Sequence, residues 1–461
     1  MSGLRDVVLL IVLIGLVPIC AIRPWLGILA WFWVAFMVPH GLTWGFGRTL
    51  PIAMAIGGAT LLGWLLTKDR KPIPWTFTVI ALGLMAAHFT LTTILAYNPE
   101  EAWVKWEWVS KALFMTFVTM SLFQDRARLR WLYVVVGLSL GFYGLKGGIW
   151  VLRTGGGERV FGPDMSFFAD NNTLGLALCM ILPILIYLSR EEPRRWLKRL
   201  MRVVFFFTII AIVFTYSRGA FLGLLVILAV LIWRSPWRLR FATGLLIGAL
   251  VAAPLIPDNL WERIKSISDQ ESAETRDTSV QGRFQAWRTA WNTALDRPFT
   301  GAGFRALWNR DIWLTYYDGT DILAIRDAHS LYFEVLGEHG FVGLGLYFVV
   351  VASTLLTLRR IRRRWRGHPE QGYLASYAEM TSLCLYPYMV AGAFIGVAYF
   401  DLYFMLVATS VILRSLSDEA EKALAPVPSP VRSARRALPS TPALPAPARR
   451  RPLPSPRKRH A

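Results

Sequence analysis

Apolar runs long enough to cross a bilayer core, which needs roughly 20 residues per helix, recur about a dozen times along this chain. Stretches such as Val203–Val213 and Phe221–Trp233 carry no charge at all. Charged residues are 17% of the 461 and hydrophobic ones 54%, whereas an ordinary soluble domain is about a quarter charged. That balance excludes a water-soluble enzyme. The strand alternation of an outer-membrane barrel is absent, which leaves an all-α polytopic membrane protein.

The formal charge of +20 does not indicate nucleic acid, because of where the charges sit. Part of the excess lies in a tail after Leu416, and most of the rest in short connectors: Lys68–Lys71, Arg126–Arg130, Arg190–Arg199, Arg234–Arg240 and Arg359–Arg366. Basic connectors face the cytoplasm, and they alternate with less basic ones without a break from Lys68 onward. Residues 6–39 read as one long span kinked at Pro18 and Pro24, giving about twelve transmembrane helices with both termini inside. Two spans split at Arg23-Pro24 would give thirteen, with the N-terminus outside. Cys20, Cys179 and Cys384 lie in apolar stretches without C-x-x-C spacing and read as small buried hydrophobes.

The expected organisation is a transmembrane region over 1–257, an outer loop over 258–328, a second transmembrane region over 329–416 and a disordered basic cytoplasmic tail over 417–461. The outer loop is nearly neutral. Arg283–Leu295 has helical periodicity, with Phe284, Trp287, Trp291 and Leu295 on one face, and predicts a helical cap over the membrane core.

Several positions invite a chemical reading. Arg218 stands in a tiny hinge, Thr215-Tyr216-Ser217-Arg218-Gly219, between two apolar helices; it either snorkels to the interface or serves function, the default for intramembrane ionisable groups. Arg283 and Arg288 are five apart, roughly 140° around a helix, and need not share a face. His329 marks the re-entry of the loop into the membrane. Glu338, nine residues later, reads first as a structural carboxylate that pairs with an arginine or caps a helix. Gly301-Ala302-Gly303 reads as a tight turn, since a dinucleotide site needs a preceding strand. No metal-ligand spacing is found, so neither metal nor cofactor is expected.

Taken in order, Ser217-Arg218-Gly219, Gly282-Arg283 with Trp287, Pro298-Phe299-Thr300-Gly301-Ala302-Gly303, and His329-Ser330 with Glu338-His339-Gly340 resemble the O-antigen ligase and polymerase superfamily. Arg159-Val160-Phe161-Gly162 and Asn171-Asn172 extend the likeness, although Asp170 stands where a proline commonly precedes the asparagine. The resemblance implies a metal-independent, monomeric, GT-C-like glycosyltransferase in the bacterial inner membrane with its active site facing the periplasm. Its donor would be a glycan on undecaprenyl diphosphate and its acceptor the lipid A-core oligosaccharide. His329, Arg218 and Arg283 would be catalytic, and Arg159, Arg288, Asn172 and Glu338 would bind substrate. A polysaccharide polymerase and a protein O-oligosaccharyltransferase share these motifs. A transporter would instead call for an internal repeat and paired broken helices.

Overall fold

The computed structural model describes residues 2–234, 278–319 and 325–424, together with 239 and 243. Apart from 239 and 243, the expected span over 239–256 lies outside the described residues, as do 258–277 of the expected outer loop and the tail beyond 424. Met1–Ala420 form one compact unit; of a second, Glu421–Ala461, only the last turn of a helix is described. Among the described residues all regular structure is helical. In order these helices are α1 (Ser2–Ile22), α2 (Pro24–Met37), α3 (Ile52–Leu66), α4 (Phe77–Ile94), α5 (Pro99–Leu122), α6 (Arg126–Thr154), α7 (Asn171–Glu191), α8 (Arg195–Val213) and α9 (Arg218–Arg234). They continue as α10 (Thr278–Asp296), the short α11 (Arg310–Tyr316), α12 (Leu331–Trp365), α13 (Gly372–Ala391) and α14 (Asp401–Leu424). By length and composition α1, α4, α6, α7 and α12 can cross a membrane, while α2 and α3 are shorter apolar helices.

Helix ends follow local chemistry. Asp125 caps α6 by accepting the Arg128 N–H at 2.8 Å, and Gly155 closes that helix in the left-handed conformation. Pro99 opens α5 with Glu100 and Glu101 in its first turn, where acidic side chains suit the helix dipole. The helices at the centre, α7, α13 and α14, are apolar on nearly every face and accordingly buried.

The basic connectors converge on one end of the bundle. Arg128 pairs with Asp69 at 2.6 Å, Arg126 with Glu191 at 3.8 Å, Lys71 with Glu419 at 3.0 Å, and Glu379 receives both Arg234 and Arg362. Exposed pairs of this kind contribute only about 0–1 kcal/mol each, so they mark where the connectors meet more than they hold the fold. The connectors between them gather at the opposite end, where Arg48 lies 3.9 Å from Asp164, Tyr97 donates its N–H to the Ala302 carbonyl and Val160 to that of Phe214.

The N-terminal segment corrects the single-span reading. Arg23 is non-helical (φ −127°, ψ 79°) and Pro24 starts a new helix at its first position. A residue before proline is pushed out of the helical region, so the chain turns back there. Asp6, at the start of α1, accepts the Gly47 N–H at 2.6 Å and the Gly45 N–H at 3.1 Å, in the connector beyond α2. At the other end of α1, a Cβ on Gly63 would stand 2.2 Å from the Ala21 carbonyl oxygen, so α1 ends against the last turn of α3, just before Lys68. Asp6 and Glu419 therefore lie at opposite ends of the bundle, not at the same one.

A second correction concerns α10. The helix forms as expected, but Phe284, Trp291 and Leu295 are exposed (49%, 47% and 58%). Its buried face is Ala286, Thr289, Ala290, Thr293 and Ala294. Small residues let backbones approach closely, as between membrane helices; a Cβ on Gly337 of α12 would sit 3.1 Å from that of Ala290.

The long helix α12 is broken inside. Gly340 adopts φ 66°, ψ −171°, and the turn after α10 plugs the gap: Ala302 and Gly303 donate N–H groups to the Gly337 and Glu338 carbonyls, both at 2.9 Å, and Phe341 donates to Pro298 at 2.8 Å. Gly301-Ala302-Gly303 is thus the turn its sequence announced.

Two outcomes follow from this architecture. Single cysteines replacing Gly3 and Lys68, in a chain whose native cysteines are buried, should react with an impermeant maleimide from opposite faces of the membrane; labelling from one face would contradict the α1–α2 hairpin. Gly340→Ala combines a left-handed φ with a Cβ 2.5 Å from the Pro298 oxygen and should cost roughly 2 kcal/mol or more. Gly345→Ala, which meets nothing within 4 Å, should be neutral in the same thermal-shift measurement.

Candidate active site

His329 sits in the segment that leads into α12, with its backbone in the left-handed region at φ 47°. Two contacts hold that segment. The Trp287 indole N–H donates to the Ala328 carbonyl at 2.7 Å, and Ser330 begins the helix by accepting the Glu334 N–H at 2.8 Å. Trp287 also stacks on Phe333, with ring centroids 5.0 Å apart. Arg283 lies one turn before Trp287 on the same face of α10 and is half-buried. Gly282 leaves room for Arg326, since a Cβ there would stand 2.6 Å from the guanidinium carbon. The Gly-Arg…Trp motif therefore seats Arg326, presents Arg283 and pins the residue before His329.

The electrostatics of His329 come from both sides. Its ring reaches solvent on one side; the protein surrounding the rest holds its pKa below the usual histidine range. Asp327 and Asp170 oppose that depression, and the charges of Arg283 and Arg326 reinforce it. Burial raises the Asp327 carboxyl, against the pull of His329, the Ala328 N–H and Lys105.

Beyond Asp327 opens a cavity of about 740 Å³, lined by Lys105, Trp308, Asn309, Asp327, Glu334 and Glu338 among others. Gly396 closes against it, for a Cβ at that position would lie 2.5 Å from Asp327 Oδ2. Glu334 accepts the Ala398 N–H at 3.2 Å. Lys105 lies over the rings of Trp108 at 4.7 Å and Tyr399 at 5.3 Å.

Of the residues singled out from sequence, His329 and Arg283 come together. Arg218 opens α9 and is half-buried; Gly219 beside it packs on Ile395, one residue from Gly396, so the start of α9 and Asp327 flank the same short segment. Arg288 is on the exposed side of α10, paired with Asp318 at 2.5 Å. Arg159 lines a separate groove with Lys146 and Arg153. Asn172 gives its backbone N–H to Asp170 at 2.8 Å, while Asn171 donates its side-chain N–H to the Thr215 carbonyl in the hinge before Arg218, at 2.7 Å. Asp170, at the position where the sequence departs from the usual pattern, is the N-cap of α7.

Glu338-His339-Gly340 acts as a unit around the break in α12. Glu338 accepts the Arg305 N–H at 2.6 Å and the Tyr399 hydroxyl. His339, fully buried, bonds to Thr92 at 2.6 Å and Tyr399 at 2.9 Å. Sequence reasoning missed Arg326, Asp327 and Lys105. The first two were detectable as charges crowded at a membrane re-entry; Lys105 was hidden because α5 begins at Pro99, ahead of its apolar stretch.

The fold and this site define a many-helix membrane protein with a histidine flanked by arginines at the end opposite its basic connectors. Residues 203–348 match the O-antigen ligase family, and residues 4–193 match a family of unknown function. The match over 203–348 supports membership of the O-antigen ligase and polymerase superfamily, whose members are glycosyltransferase-like enzymes. None of the curated proteins compared with it matches. The ligase match contains Arg218, Arg283, Arg288, His329 and Glu338; Arg159 and Asn172 fall in the other.

A titration checks the electrostatics. The His329 ring should titrate below the ordinary histidine value of about 6.5 when followed by NMR of isotope-labelled histidine. Asp327→Asn removes an anion and should lower the value further; Arg326→Gln removes a cation and should raise it. A wild-type value at or above 6.5 would contradict this description.

Proposed function

We propose that this protein is an O-antigen ligase, transferring a glycan from undecaprenyl diphosphate to the lipid A-core oligosaccharide at the periplasmic face of the inner membrane. The observation that carries this reading is the gathering of Arg283, Arg326 and Asp327 around His329, close enough for all three to act on its charge. An acceptor hydroxyl attacks the anomeric carbon, the bond from that carbon to the diphosphate oxygen breaks, and the hydroxyl proton passes to His329. A single displacement inverts the anomeric centre. The depressed pKa keeps His329 neutral, and so able to accept the proton, down to a lower pH than a free histidine.

The departing diphosphate carries the developing negative charge. Guanidinium forks stabilise it by charge-assisted, bidentate hydrogen bonds, so Arg283 and Arg326, joined by Arg218 from the start of α9, take the role that a metal would otherwise fill. Apolar walls between helices hold the polyprenyl chain, and holding both lipids supplies much of the orientation. The convergence of basic connectors at the far end of the bundle supports a periplasmic site through the positive-inside rule.

Deletion in the native host, followed by a lipopolysaccharide gel, tests the assignment. A ligase predicts loss of all capped lipid A-core with donor accumulating. One repeat unit on the core would instead mean polymerase, and unchanged lipopolysaccharide with lost protein glycosylation would mean a protein oligosaccharyltransferase. In a purified assay Arg218→Lys and Arg283→Lys should each lower transfer by about 10²–10³-fold, because lysine lacks the fork, and chelators should have no effect. His329→Ala should keep donor binding and lose about 10²–10⁴-fold in rate; substantial transfer by His329→Gln would rule out the general base.

A further inference from the structure

The last turns of α6 and the loop after it enclose a groove of about 730 Å³ at the same end of the bundle as His329. Three cations line it: Lys146 and Arg153 on α6, and Arg159 in the loop. Among the described residues none of the three makes an ion pair, and the Glu158 carboxylate in the same groove pairs with none of them. The walls are apolar, with Phe142, Trp150 and Phe161 exposed by 37%, 46% and 58%.

Lys146 is the telling residue. It is exposed on α6 with Phe142 four residues before it and Trp150 four after, so its own helix face is otherwise apolar. It lies eight residues short of Thr154, about 12 Å below the end of the helix. A cation at that depth on a lipid-facing surface is costly unless an anion meets it, and among the described residues no carboxylate pairs with it, Glu158 of the same groove included. The counter-charge available at that level of a bilayer is a lipid phosphate.

We propose that this groove binds the phosphates on the acceptor's lipid anchor, with the apolar walls packing against its acyl chains. The proposal rests on the ligase reading and deepens it. The donor's diphosphate is the leaving group and belongs beside His329. The acceptor's phosphates lie at the root of its glycan, remote from the reacting hydroxyl, and must be held apart from the histidine. The groove meets that requirement: it shares no lining residue with the cavity beyond Asp327. One connector joins the two places, giving Arg159 to the groove and Asp170 to the surroundings of His329.

The test uses the full chain in nanodiscs and the double variant Lys146→Gln/Arg153→Gln, neither residue being part of the His329 centre. Retention of bisphosphorylated lipid A-core by native mass spectrometry should be strong for the wild type and weak for the variant. Enzymatic dephosphorylation of the lipid should weaken wild-type retention equally and change the variant little. In transfer assays the variant should raise the acceptor KM at least about tenfold, as loss of charged hydrogen bonds predicts, with kcat and donor KM within twofold. Lys146→Arg/Arg153→Lys should restore retention and so separate charge from misfolding.

Equal retention by wild type and variant would overturn the proposal, as would a rise in donor KM instead of acceptor KM. Displacement of the lipid by phosphatidylglycerol as readily as by unlabelled acceptor would also overturn it, marking a general anionic-lipid site. If phosphate-dependent retention held while wild-type chain transferred no glycan to lipid A-core, the groove would stand and the ligase reading would fall.

Discussion

A helix broken within a membrane leaves backbone groups that lipid cannot satisfy, and everything at the functional end of this protein depends on how α12 meets that demand. Unpaired peptide groups cost several kcal/mol each in an apolar medium. Here the carbonyls of Gly337 and Glu338 receive the N–H groups of Ala302 and Gly303, and Phe341 returns a hydrogen bond to Pro298. Because Pro298 follows closely on Asp296, the end of α10, that insertion also fixes where α10 lies along α12. Trp287 then reaches Ala328 and Arg283 comes near His329. The position of Arg283 beside His329 is thus set by peptide groups in the interior of the next helix.

The same break explains why Glu338, His339 and Gly340 occur together. The carboxylate seals the inserted turn, the glycine permits the reversal, and His339 ties the corner to α4 and the segment before α14 through Thr92, Tyr399 and a stack on Phe89 with ring centroids 3.9 Å apart. The surroundings of His329 are polarised in turn. Arg283 from α10 and Arg326 from the entering segment act on its charge, and Asp327, which opposes them, opens onto the carboxylate-lined cavity that holds Lys105. An anion is drawn to the arginines and repelled by the carboxylates.

Much of this was legible in the sequence because hydropathy and charge act locally. Basic connectors mark helix ends whatever the packing, and those from Lys68 to Arg366 gather at one end of the bundle as their alternation required. What failed needed tertiary knowledge. Whether Pro24 kinks a helix or reverses the chain depends on whether Asp6 finds partners, and these are backbone groups of Gly45 and Gly47, some forty residues away. The orientation of α10 was hidden for another reason: in water its aromatic stripe would turn inward, whereas a helix pressed closely against another turns its alanines and threonines to the contact. Arg326 and Asp327 stand within three residues of His329 and were legible as crowded charges, but that both act on its ring follows from the folded backbone.

That conformation has a wider consequence. Five residues other than glycine adopt left-handed backbone angles among the described ones: Val38, Met165, Tyr216, Arg305 and His329. All lie in connectors at the end opposite the basic loops. Each costs roughly 1–2 kcal/mol against ordinary geometry, and residues so strained persist only where their surroundings over-determine them. Among the described residues, left-handed strain outside glycine is confined to one end of the bundle. A glycine would fold more easily at position 329, so the imidazole is carried there at an energetic disadvantage.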